Sequence, residues 1–239
     1  MSADSSMVDL SVEMEELWAS LGAPAPGRAR AIQFVGATAG EGTSTVAREF
    51  AFHAATRAAR RVWLVDLDLL GSPQLSEFAA GAERFGPLGP PASASPDGSS
   101  FFTVQPPLKR PDGRAWPDAR YLFAHAVGST TLWVTGFRRD ALKGRQTVHV
   151  LPTGDYWNAL RRHADLIIVD APPADRSQAA LTVAQFMDDT VLVVSADQAD
   201  VKAPARLRDS IASAGGNCAG LFFNRASVEP PAFLRSVLP

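Results

Sequence analysis

Short apolar runs alternate with longer amphipathic stretches along this chain, and the alternation predicts strands and helices in turn. Apolar runs typical of strands buried on both faces occur at residues 32–35, 61–66, 148–151, 165–170, 190–195 and 219–223. Apolar residues at helical spacing fill most of the intervals between them. Strands that alternate with helices indicate a parallel sheet covered on both faces. We therefore predict a three-layer α/β/α domain with a mostly parallel sheet.

The middle of the chain, residues 76–145, breaks this order and is interpreted as an irregular insert in the domain. Residues 86–100 are rich in proline, glycine, alanine and serine, which predicts an exposed loop. Short strands are predicted at 101–104 and 131–136, and a helix is predicted at 118–127. The spacing of these elements does not fit a simple strand–helix–strand repeat.

An amphipathic helix is predicted before the first strand, over residues 8–21, with Gly22 and Pro24 ending it. Its apolar stripe can pack on the domain or can dock on a partner. Residues 1–24 are accordingly assigned to an N-terminal docking helix, and residues 25–239 to the main domain.

Composition narrows the class of protein. The chain has 239 residues, 46% of them hydrophobic, which suits one domain with a sizeable core. A net charge of −2 means that the chain as a whole has no excess of positive charge to bind nucleic acid. Cys218 is the single cysteine, so no intrachain disulfide can form. The polar N-terminus is unlike a signal peptide, and no apolar run approaches the length of a spanning helix, so we expect a cytoplasmic protein.

A glycine-rich turn between the first predicted strand and helix indicates a phosphate-binding loop. Its sequence, from Gly36 onwards, is Gly-Ala-Thr-Ala-Gly-Glu-Gly-Thr-Ser-Thr. Amides of such a turn point inwards, and the helix N-terminus adds partial positive charge. The pattern G-x-x-x-x-G-K-[ST] is nearly complete, with Gly42 and Ser44 in place and Ala37 at the first glycine position. The alternative is a glycine turn that binds nothing.

Thr43 stands where the pattern has its lysine. That lysine reaches the β- and γ-phosphates and offsets charge during phosphoryl transfer. Threonine is short and neutral, and losing one charge-assisted contact costs about 1.5–3 kcal/mol in binding. The loop is therefore expected to keep its shape but to lack the positive charge that binds the phosphates.

Carboxylates follow two of the predicted strands. Asp66 and Asp68 end the second strand, and Asp170 ends the strand at 165–170. Ligands of open parallel sheets bind at the carboxyl ends of strands. These side chains are therefore predicted to face the glycine loop, where they could hold Mg²⁺ or orient water. For Asp66 and Asp68, the alternative role is to cap a helix or anchor a loop.

Taken together, four segments carry a resemblance to a known family. They are Gly40–Thr45, Val65–Asp68, Ile168–Pro173 and Gly220–Arg225. The set resembles the bacterial tyrosine kinases (BY-kinases, CpsD/CapB type) of capsule and exopolysaccharide assembly, which belong to the wider MinD/ParA-like P-loop ATPases. The resemblance covers residues 30–75 and 145–225, and it implies a P-loop NTPase fold of the MinD-like (SIMIBI) type.

The resemblance implies a nucleotide site made by the glycine loop. Gly40, Gly42, Thr43, Ser44 and Thr45 would contact ATP or ADP. The resemblance leaves the insert, residues 76–145, unmatched, and three roles stay open for it: to cover the nucleotide site, to fill it, or to bind a partner.

The same resemblance implies roles for the polar residues around the loop. The hydroxyl of Ser44 would lie near Mg²⁺, together with Asp66 and Asp170. Asp66, Asp68 and Asp170 fall on the family's catalytic aspartates, and Asn224 falls on an asparagine that contacts adenine in many relatives.

Departures from the family pattern set the functional expectation. The lysine is absent, and Tyr121 and Tyr156 are the only tyrosines, so the tyrosine-rich tail of autophosphorylating relatives has no counterpart. We therefore expect no autophosphorylation and weak or absent ATP hydrolysis. The resemblance then favours a pseudokinase-like scaffold or regulator of exopolysaccharide biosynthesis and export. Its expected partner is the cytoplasmic tail of a membrane chain-length-determining protein (a polysaccharide co-polymerase), at the inner face of the plasma membrane, and homo-oligomers are also expected.

Two alternatives stay open. One is an active ATPase or tyrosine kinase in which Arg176, Arg138 or Arg139 replaces the lysine, since arginine suits phosphate recognition. The other is a MinD/ParA-type partitioning or placement ATPase. The Asp-Ala-Pro-Pro segment that begins at Asp170 leans towards the polysaccharide branch, and no nucleic-acid partner is expected.

Overall fold

Ten strands and seven helices follow one another in the part of the chain that the computed structural model describes, which is residues 10–25, 27–197, 200 and 202–225. The strands are β1 (Arg30–Gly36), β2 (Arg61–Asp66), β3 (Ala92–Ser93), β4 (Phe102–Gln105), β5 (Leu122–Ala126), β6 (Leu132–Phe137), β7 (Thr147–Val150), β8 (Ala164–Asp170), β9 (Asp189–Ser195) and β10 (Cys218–Asn224). The helices are α1 (Ser11–Leu21), α2 (Thr43–Ala55), α3 (Pro73–Ala80), α4 (Ala82–Phe85), α5 (Asp155–Arg161), α6 (Ala179–Val183) and α7 (Ala203–Ser213).

Eight of the strands form one sheet, in the order β10-β9-β1-β8-β2-β6-β5-β3. The strands from β10 to β6 run parallel, and β5 and β3 are antiparallel to their neighbours. Helices α1, α2 and α3 cover one face through one apolar cluster. Helices α5, α6 and α7 cover the other face through a second cluster. The predicted three-layer α/β/α architecture with a mostly parallel sheet is confirmed.

The middle segment extends the main sheet instead of standing apart from it. It supplies β6, which pairs parallel with β2, and β5, which pairs antiparallel with β6. Strand β7, predicted as a member of the regular series, pairs instead with β4 in a separate two-stranded sheet. The exposed loop predicted at 86–100 is wrong in part, because Ala94 and Ser95 are buried.

The helix predicted at 118–127 is wrong. A 3₁₀ turn covers Asp118–Tyr121, and β5 follows it. Leu122 and Ala124 are buried while Phe123 and His125 are half-buried, which is the period of two expected of a strand. Pairing with β6 gives the backbone of this short segment a ladder of hydrogen bonds that outweighs the helical preference of its alanines.

Strand β10 is an edge strand, and the prediction that the strand at 219–223 is buried on both faces is wrong. Leu221 and Phe223 are exposed, and Cys218 is half-buried against the cluster beneath α7. Runs of apolar residues indicate strands well, but they do not distinguish a central strand from an edge strand.

Helix α1 packs on α2. Met14 is buried, and the Trp18 ring lies 6.1 Å from the ring of Phe50 on α2. Glu15 of α1 also forms an ion pair with Arg57, just beyond the end of α2, and its carboxylate lies 3.5 Å from Nε2 of His53 in the last turn of α2. The start of the helix predicted at residues 8 and 9 lies outside the described residues, and a docking role for residues 1–24 stays a prediction.

None of the helices described here combines the length and the apolar character that crossing a bilayer requires.

Candidate functional site

Three adjacent strands at the centre of the sheet bring the predicted site together. In the order β1-β8-β2, Phe34 of β1 lies opposite Asp170 of β8, and Asp170 lies opposite Asp66 of β2. Because these strands are parallel, their carboxyl ends share one edge of the sheet. The glycine loop that follows β1 therefore stands beside both aspartates, as the sequence predicts.

The loop has the strand–turn–helix form that its sequence predicts. It leaves β1 at Gly36 and enters α2 at Thr43, with Gly40 (φ 89°) and Gly42 (φ 83°) in the left-handed region that side chains disfavour. Ser44 and Thr45 lie half-buried in the first turn of α2. The loop is thus a concave turn of backbone at a helix N-terminus, a form that suits an anion.

An anion from the chain itself already lies in this loop. The carboxylate of Glu41 accepts a hydrogen bond from the Thr38 amide at 3.0 Å, and Glu41 is buried. Burial raises the pKa of Glu41, the amides of Thr38 and Ala37 act against that rise, and Asp175 adds to it. The Glu41 carboxylate therefore takes up part of the donor capacity that a phosphate would need.

Two further contacts surround the same space. A methyl group added to Gly36 would come within 2.4 Å of Oε2 of Glu41 and 2.8 Å of the hydroxyl of Thr43, so both side chains fold back onto Gly36. The Ala39 amide points at Oδ2 of Asp175 at 3.4 Å. Two acidic side chains thus approach a loop that has Thr43 at the lysine position of the pattern.

Asn224 braces the loop from β10. Its amide nitrogen donates to the carbonyl of Glu41 at 2.9 Å, and it lies where a side chain on Gly42 would begin, 2.0 Å from that position. Asn224 therefore contacts the loop itself. Contact with an adenine ring stays a prediction.

We expect Gly42→Ala to lower the free energy of unfolding by about 2 kcal/mol. About half comes from the left-handed backbone of Gly42, and the rest from displacement of Asn224 and its hydrogen bond. Gly113 has a similar φ of 81° and open space around it, so Gly113→Ala should lose only the backbone part. Urea unfolding of both variants measures the difference. Equal losses would show that Asn224 does not brace the loop.

The aspartate pair is buried, and burial makes its charged form costly. Asp66 is 3% exposed and Asp170 is 2% exposed. Burial raises the pKa of Asp170 to about 6, and burial together with the charge of Asp170 raises the pKa of Asp66 well above its usual value. The hydroxyl of Ser44 lies close enough to Asp170 to lower its pKa, yet Oδ1 of Asp170 has no hydrogen-bond partner of standard geometry among the described residues.

Asp68 does not lie on the strand face with Asp66, as the sequence analysis expected. Strand β2 ends at Asp66, and Asp68 stands in the turn that follows, where its carboxylate accepts from the Gly71 amide at 2.9 Å. The Asp68 amide donates to Oδ1 of Asp66 at 2.9 Å. Both aspartates therefore anchor this turn, and only Asp66 also faces Asp170.

Gln74, which the sequence analysis missed, connects the first turns of α2 with both buried aspartates. It is fully buried near the start of α3, and its amide nitrogen donates to Oδ2 of Asp170 at 2.7 Å and to the carbonyl of Ser44 at 2.8 Å. Its backbone amide donates to Oδ2 of Asp66 at 3.2 Å, and its amide oxygen lies 3.4 Å from the guanidinium of Arg48. Gln74 therefore holds the loop helix and both aspartates together.

Arg48, on the second turn of α2, is a buried cation that the sequence analysis also missed. Its guanidinium lies 3.6 Å from the carboxylate of Glu77, and its charge lowers the pKa of Asp170. No motif marks Gln74 or Arg48. The one signal in the sequence is that Gln74 directly follows Pro73, the residue at which α3 begins.

The arginines predicted as substitutes for the lysine are exposed. Arg176 lies on the segment that follows β8 and lines a cavity of about 520 Å³ with Asp68. Arg138 follows β6 and lies over the ring of Phe123 at 4.8 Å, and Arg139 lies in the adjacent 3₁₀ turn. Strand β6 stands three strands from β1, about 14 Å away. Of the three, Arg176 is therefore nearest to the loop along the sheet edge.

The donor set fits a hard divalent cation better than a nucleotide phosphate. Ser44, Asp66 and Asp170 offer only oxygen, and the orphaned Oδ1 of Asp170 is the kind of ligand that Mg²⁺ prefers. The phosphate side fits poorly, because Glu41 holds the Thr38 amide and the position of the lysine is Thr43. Within the described ranges, no group of three or more His, Cys, Asp or Glu side chains has the arrangement of a metal site.

No protein-family model matches this sequence, and no curated protein matches it. Solved structures are nevertheless similar in fold. The chimerical protein CapA2B2 is 15% identical, with a TM-score of 0.59 over 93% of this chain and 88% of its own. The kinase domain of the Escherichia coli tyrosine kinase ETK is 18% identical, with a TM-score of 0.53 over 96% of this chain and 78% of its own.

A third similar structure is the septum site-determining protein MinD from Pyrococcus horikoshii OT3, complexed with Mg-ADP. It is 15% identical, with a TM-score of 0.54 over 88% of this chain and 77% of its own. Likenesses at this level of identity establish the fold and leave the activity open. The fold is that of the P-loop NTPases, shared by the kinase domain and by MinD, as predicted.

Proposed function

We propose that this protein is a scaffold or regulator of exopolysaccharide biosynthesis and export that keeps a P-loop NTPase fold without phosphoryl transfer. The observation that carries the proposal is the state of the loop. Thr43 stands in place of the lysine, and the Glu41 carboxylate accepts from the Thr38 amide inside the turn. A loop that holds its own anion and lacks its cation is poorly suited to a triphosphate.

The biological setting of the proposal comes from the four sequence segments that resemble BY-kinases. Their resemblance, together with a fold shared with the ETK kinase domain, supports a role beside a membrane chain-length-determining protein. The proposed partner is the cytoplasmic tail of that protein, and the proposed place is the inner face of the plasma membrane. A folded domain that has given up catalysis can still present its surface for docking and oligomerisation.

Calorimetric titration with ATP and Mg²⁺ tests the proposal. We expect no measurable binding to the wild-type protein. The double variant Glu41→Ala/Thr43→Lys removes the internal anion and restores the cation, so it should gain about 1.5–3 kcal/mol or more in binding, roughly 10- to 150-fold. Thr43→Lys alone should gain less, because the new ammonium group would pair with Glu41.

A matched control places the same charge elsewhere. Thr56 is exposed at the far end of α2, so Glu41→Ala/Thr56→Lys carries the same net charge without a cation in the loop. This control should not bind ATP. Tight binding by the wild type, or ATP hydrolysis that disappears in Asp170→Ala, would contradict the proposal.

The second candidate function is an ATPase that uses a substitute arginine. One observation favours it, since the buried guanidinium of Arg48 already lowers the pKa of Asp170. Arg48 is held by Gln74 and Glu77, however, and it lies on the second turn of α2 and not in the loop. Hydrolysis that is lost in both Asp170→Ala and Arg48→Gln would favour this candidate, and the MinD/ParA-type alternative would require the same activity.

A further inference from the structure

The net charge of the chain conceals a strongly basic segment, residues 109–145. It contains eight lysine and arginine residues and three aspartates, a net charge of +5, in a chain whose net charge is −2. The eight are Lys109, Arg110, Arg114, Arg120, Arg138, Arg139, Lys143 and Arg145. The remainder of the chain is therefore acidic, and the positive charge is concentrated in the segment that contains β5 and β6.

These eight cations have no acidic partners among the described residues. All eight lie in the described part of the chain, and none of them is within 4.0 Å of a carboxylate that belongs to that part. Ten arginines elsewhere in the described chain do form such pairs. A folded surface that leaves one cluster of cations unpaired keeps their charge available for a ligand.

A cavity of about 730 Å³ opens within this basic segment. Its walls include Pro91, Leu108 and Leu122, and two of its lining residues are Arg120 and Arg138. A volume of this size accommodates a bulky side chain or a small ligand. The combination of apolar walls and two guanidinium groups suits a partner that is apolar at its centre and acidic around it.

One buried polar group at the cavity lacks a partner. Tyr121 is 5% exposed and lines the cavity, and its hydroxyl has no hydrogen-bond partner among the described residues. An unpaired buried polar group costs free energy in the isolated protein, and a ligand that accepts a hydrogen bond there recovers it.

Trp116 lines the cavity, and two arginines of the chain contact its ring. The guanidinium groups of Arg110 and Arg120 lie 5.2 and 4.5 Å from the ring centre. These contacts hold two arginines in place, so that less side-chain freedom is lost when they bind a carboxylate. Stacking of a nucleic-acid base requires a free aromatic face, so this arrangement favours an acidic peptide over a single strand of nucleic acid.

From these contacts we infer that the cavity at Trp116, Arg120 and Arg138 is a docking site for an acidic peptide segment of a partner protein. An apolar or aromatic side chain of the peptide enters the cavity, and neighbouring glutamates or aspartates pair with the arginines. Tryptophan, tyrosine and arginine are the residues that most often dominate protein interfaces. The inference does not depend on the phosphate loop, so an experiment can contradict it without contradicting the proposed function.

The test uses fluorescence anisotropy with the full chain and a labelled peptide in which one phenylalanine is flanked by glutamates. We expect binding that weakens as salt is raised. The double variant Arg120→Glu/Arg138→Glu should bind about tenfold more weakly or worse. Tyr121→Phe should bind about threefold more weakly, because only the hydroxyl is removed.

Lys202→Glu is the matched control, since Lys202 is exposed, lies just before α7 and is outside the basic segment. It should change binding by less than about twofold, because it alters the same kind of charge at a distance. Peptides with glutamine for glutamate, or with serine for phenylalanine, should bind more weakly than the parent peptide. Thermal unfolding of each variant checks that the fold is retained.

Three outcomes would overturn the inference. One is the absence of binding by the acidic peptide. Another is equal affinity for the wild type and for Arg120→Glu/Arg138→Glu. The third is tighter binding of a single-stranded oligonucleotide or of an acidic polysaccharide such as alginate, which would assign the surface to another class of partner.

Discussion

Replacing Gln74 with leucine is expected to lower the free energy of unfolding by about 3 kcal/mol, because a buried carboxylate and a buried carbonyl each lose a hydrogen-bond donor. The side-chain amide of Gln74 donates to both Asp170 and the carbonyl of Ser44, and leucine can donate to neither. The buried carboxylate of Asp170 would then lose its strongest hydrogen bond. The guanidinium of Arg48 would lose its contact with the amide oxygen as well.

Urea unfolding at neutral pH measures this loss, and Gln178→Leu is its control. Gln178 is exposed, and the hydrogen bonds described for it use its backbone carbonyl, so the same substitution there should change stability by less than about 0.5 kcal/mol. A loss for Gln74→Leu as small as the control's would mean that Asp170 is protonated and needs no donor at neutral pH. The role of Gln74 as the link between the loop helix and the aspartates would then have to be abandoned.

The sequence was a good guide to the parts of the site that depend on local pattern. A glycine-rich turn between an apolar run and a helical stretch predicted the loop from Gly36 to Thr43, because left-handed backbone requires glycine at Gly40 and Gly42. Asp66 and Asp170 were predicted to meet because strands in a parallel sheet end at a common edge. Both inferences use rules that need no knowledge of side-chain packing.

The residues that the sequence analysis missed act through tertiary contacts. Gln74 reaches Asp170 across the chain only because the turn after β2 places α3 above the aspartate pair. Glu41 falls at a variable position of the loop pattern, and its inward orientation depends on the fold of the loop. No spacing rule connects either residue with its partners, since they lie in different elements or in a turn.

The prediction of a helix at 118–127 shows a different limit. The segment is short and contains three alanines, so its helical preference hides an alternation of buried and half-buried positions over only five residues.

The net charge of the whole chain gave no sign of a basic surface. A total of −2 is the sum of an acidic majority and the basic segment 109–145, and only the fold shows that this segment keeps its cations unpaired.

Glu41 and Gln74 make contacts that the proposed function requires, because that function needs a loop of this form to be stable without a bound nucleotide. In a nucleotide-binding loop, phosphates and a cation satisfy the amides and the aspartates. Here Glu41 accepts from a loop amide, and Gln74 donates to Asp170. Two side chains of the protein thus make contacts of the kind that a bound ligand makes in such a loop. Burial nevertheless raises the pKa of Asp170.

Asp170→Asn is therefore expected to stabilise the protein at pH 7.5, by about 1–3 kcal/mol. Burial raises the pKa of Asp170 to about 6, against 3.8 for the ordinary carboxyl group. In the folded state the carboxyl holds its proton up to higher pH than in the unfolded state. Ionisation therefore costs the folded protein up to about 3 kcal/mol. Asparagine has no charge to bury, and its oxygen can still accept from Gln74.

The pH dependence follows from the same shift. Below pH 3.8 the group is protonated in both states and contributes nothing. Between pH 3.8 and about 6 the folded state binds more protons than the unfolded state, so wild-type stability falls as the pH rises. Above about pH 6 the loss is complete and constant. The raised pKa of Asp66 acts in the same direction.

Stability should therefore be measured by urea unfolding from pH 4.5 to 7.5, for the wild type and Asp170→Asn, with EDTA present because a bound divalent cation would offset the same charge. We expect the two curves to converge at the acid end and to separate as the pH rises, with the variant above. Asp140→Asn is the control, since Asp140 is exposed in the 3₁₀ turn that follows β6, three strands from β1, and the curve of this variant should follow that of the wild type. A variant that is less stable than the wild type at pH 7.5 would show that the charge of Asp170 is compensated within the folded chain. The aspartate pair would then be a satisfied structural element, and not a site held ready for a cation.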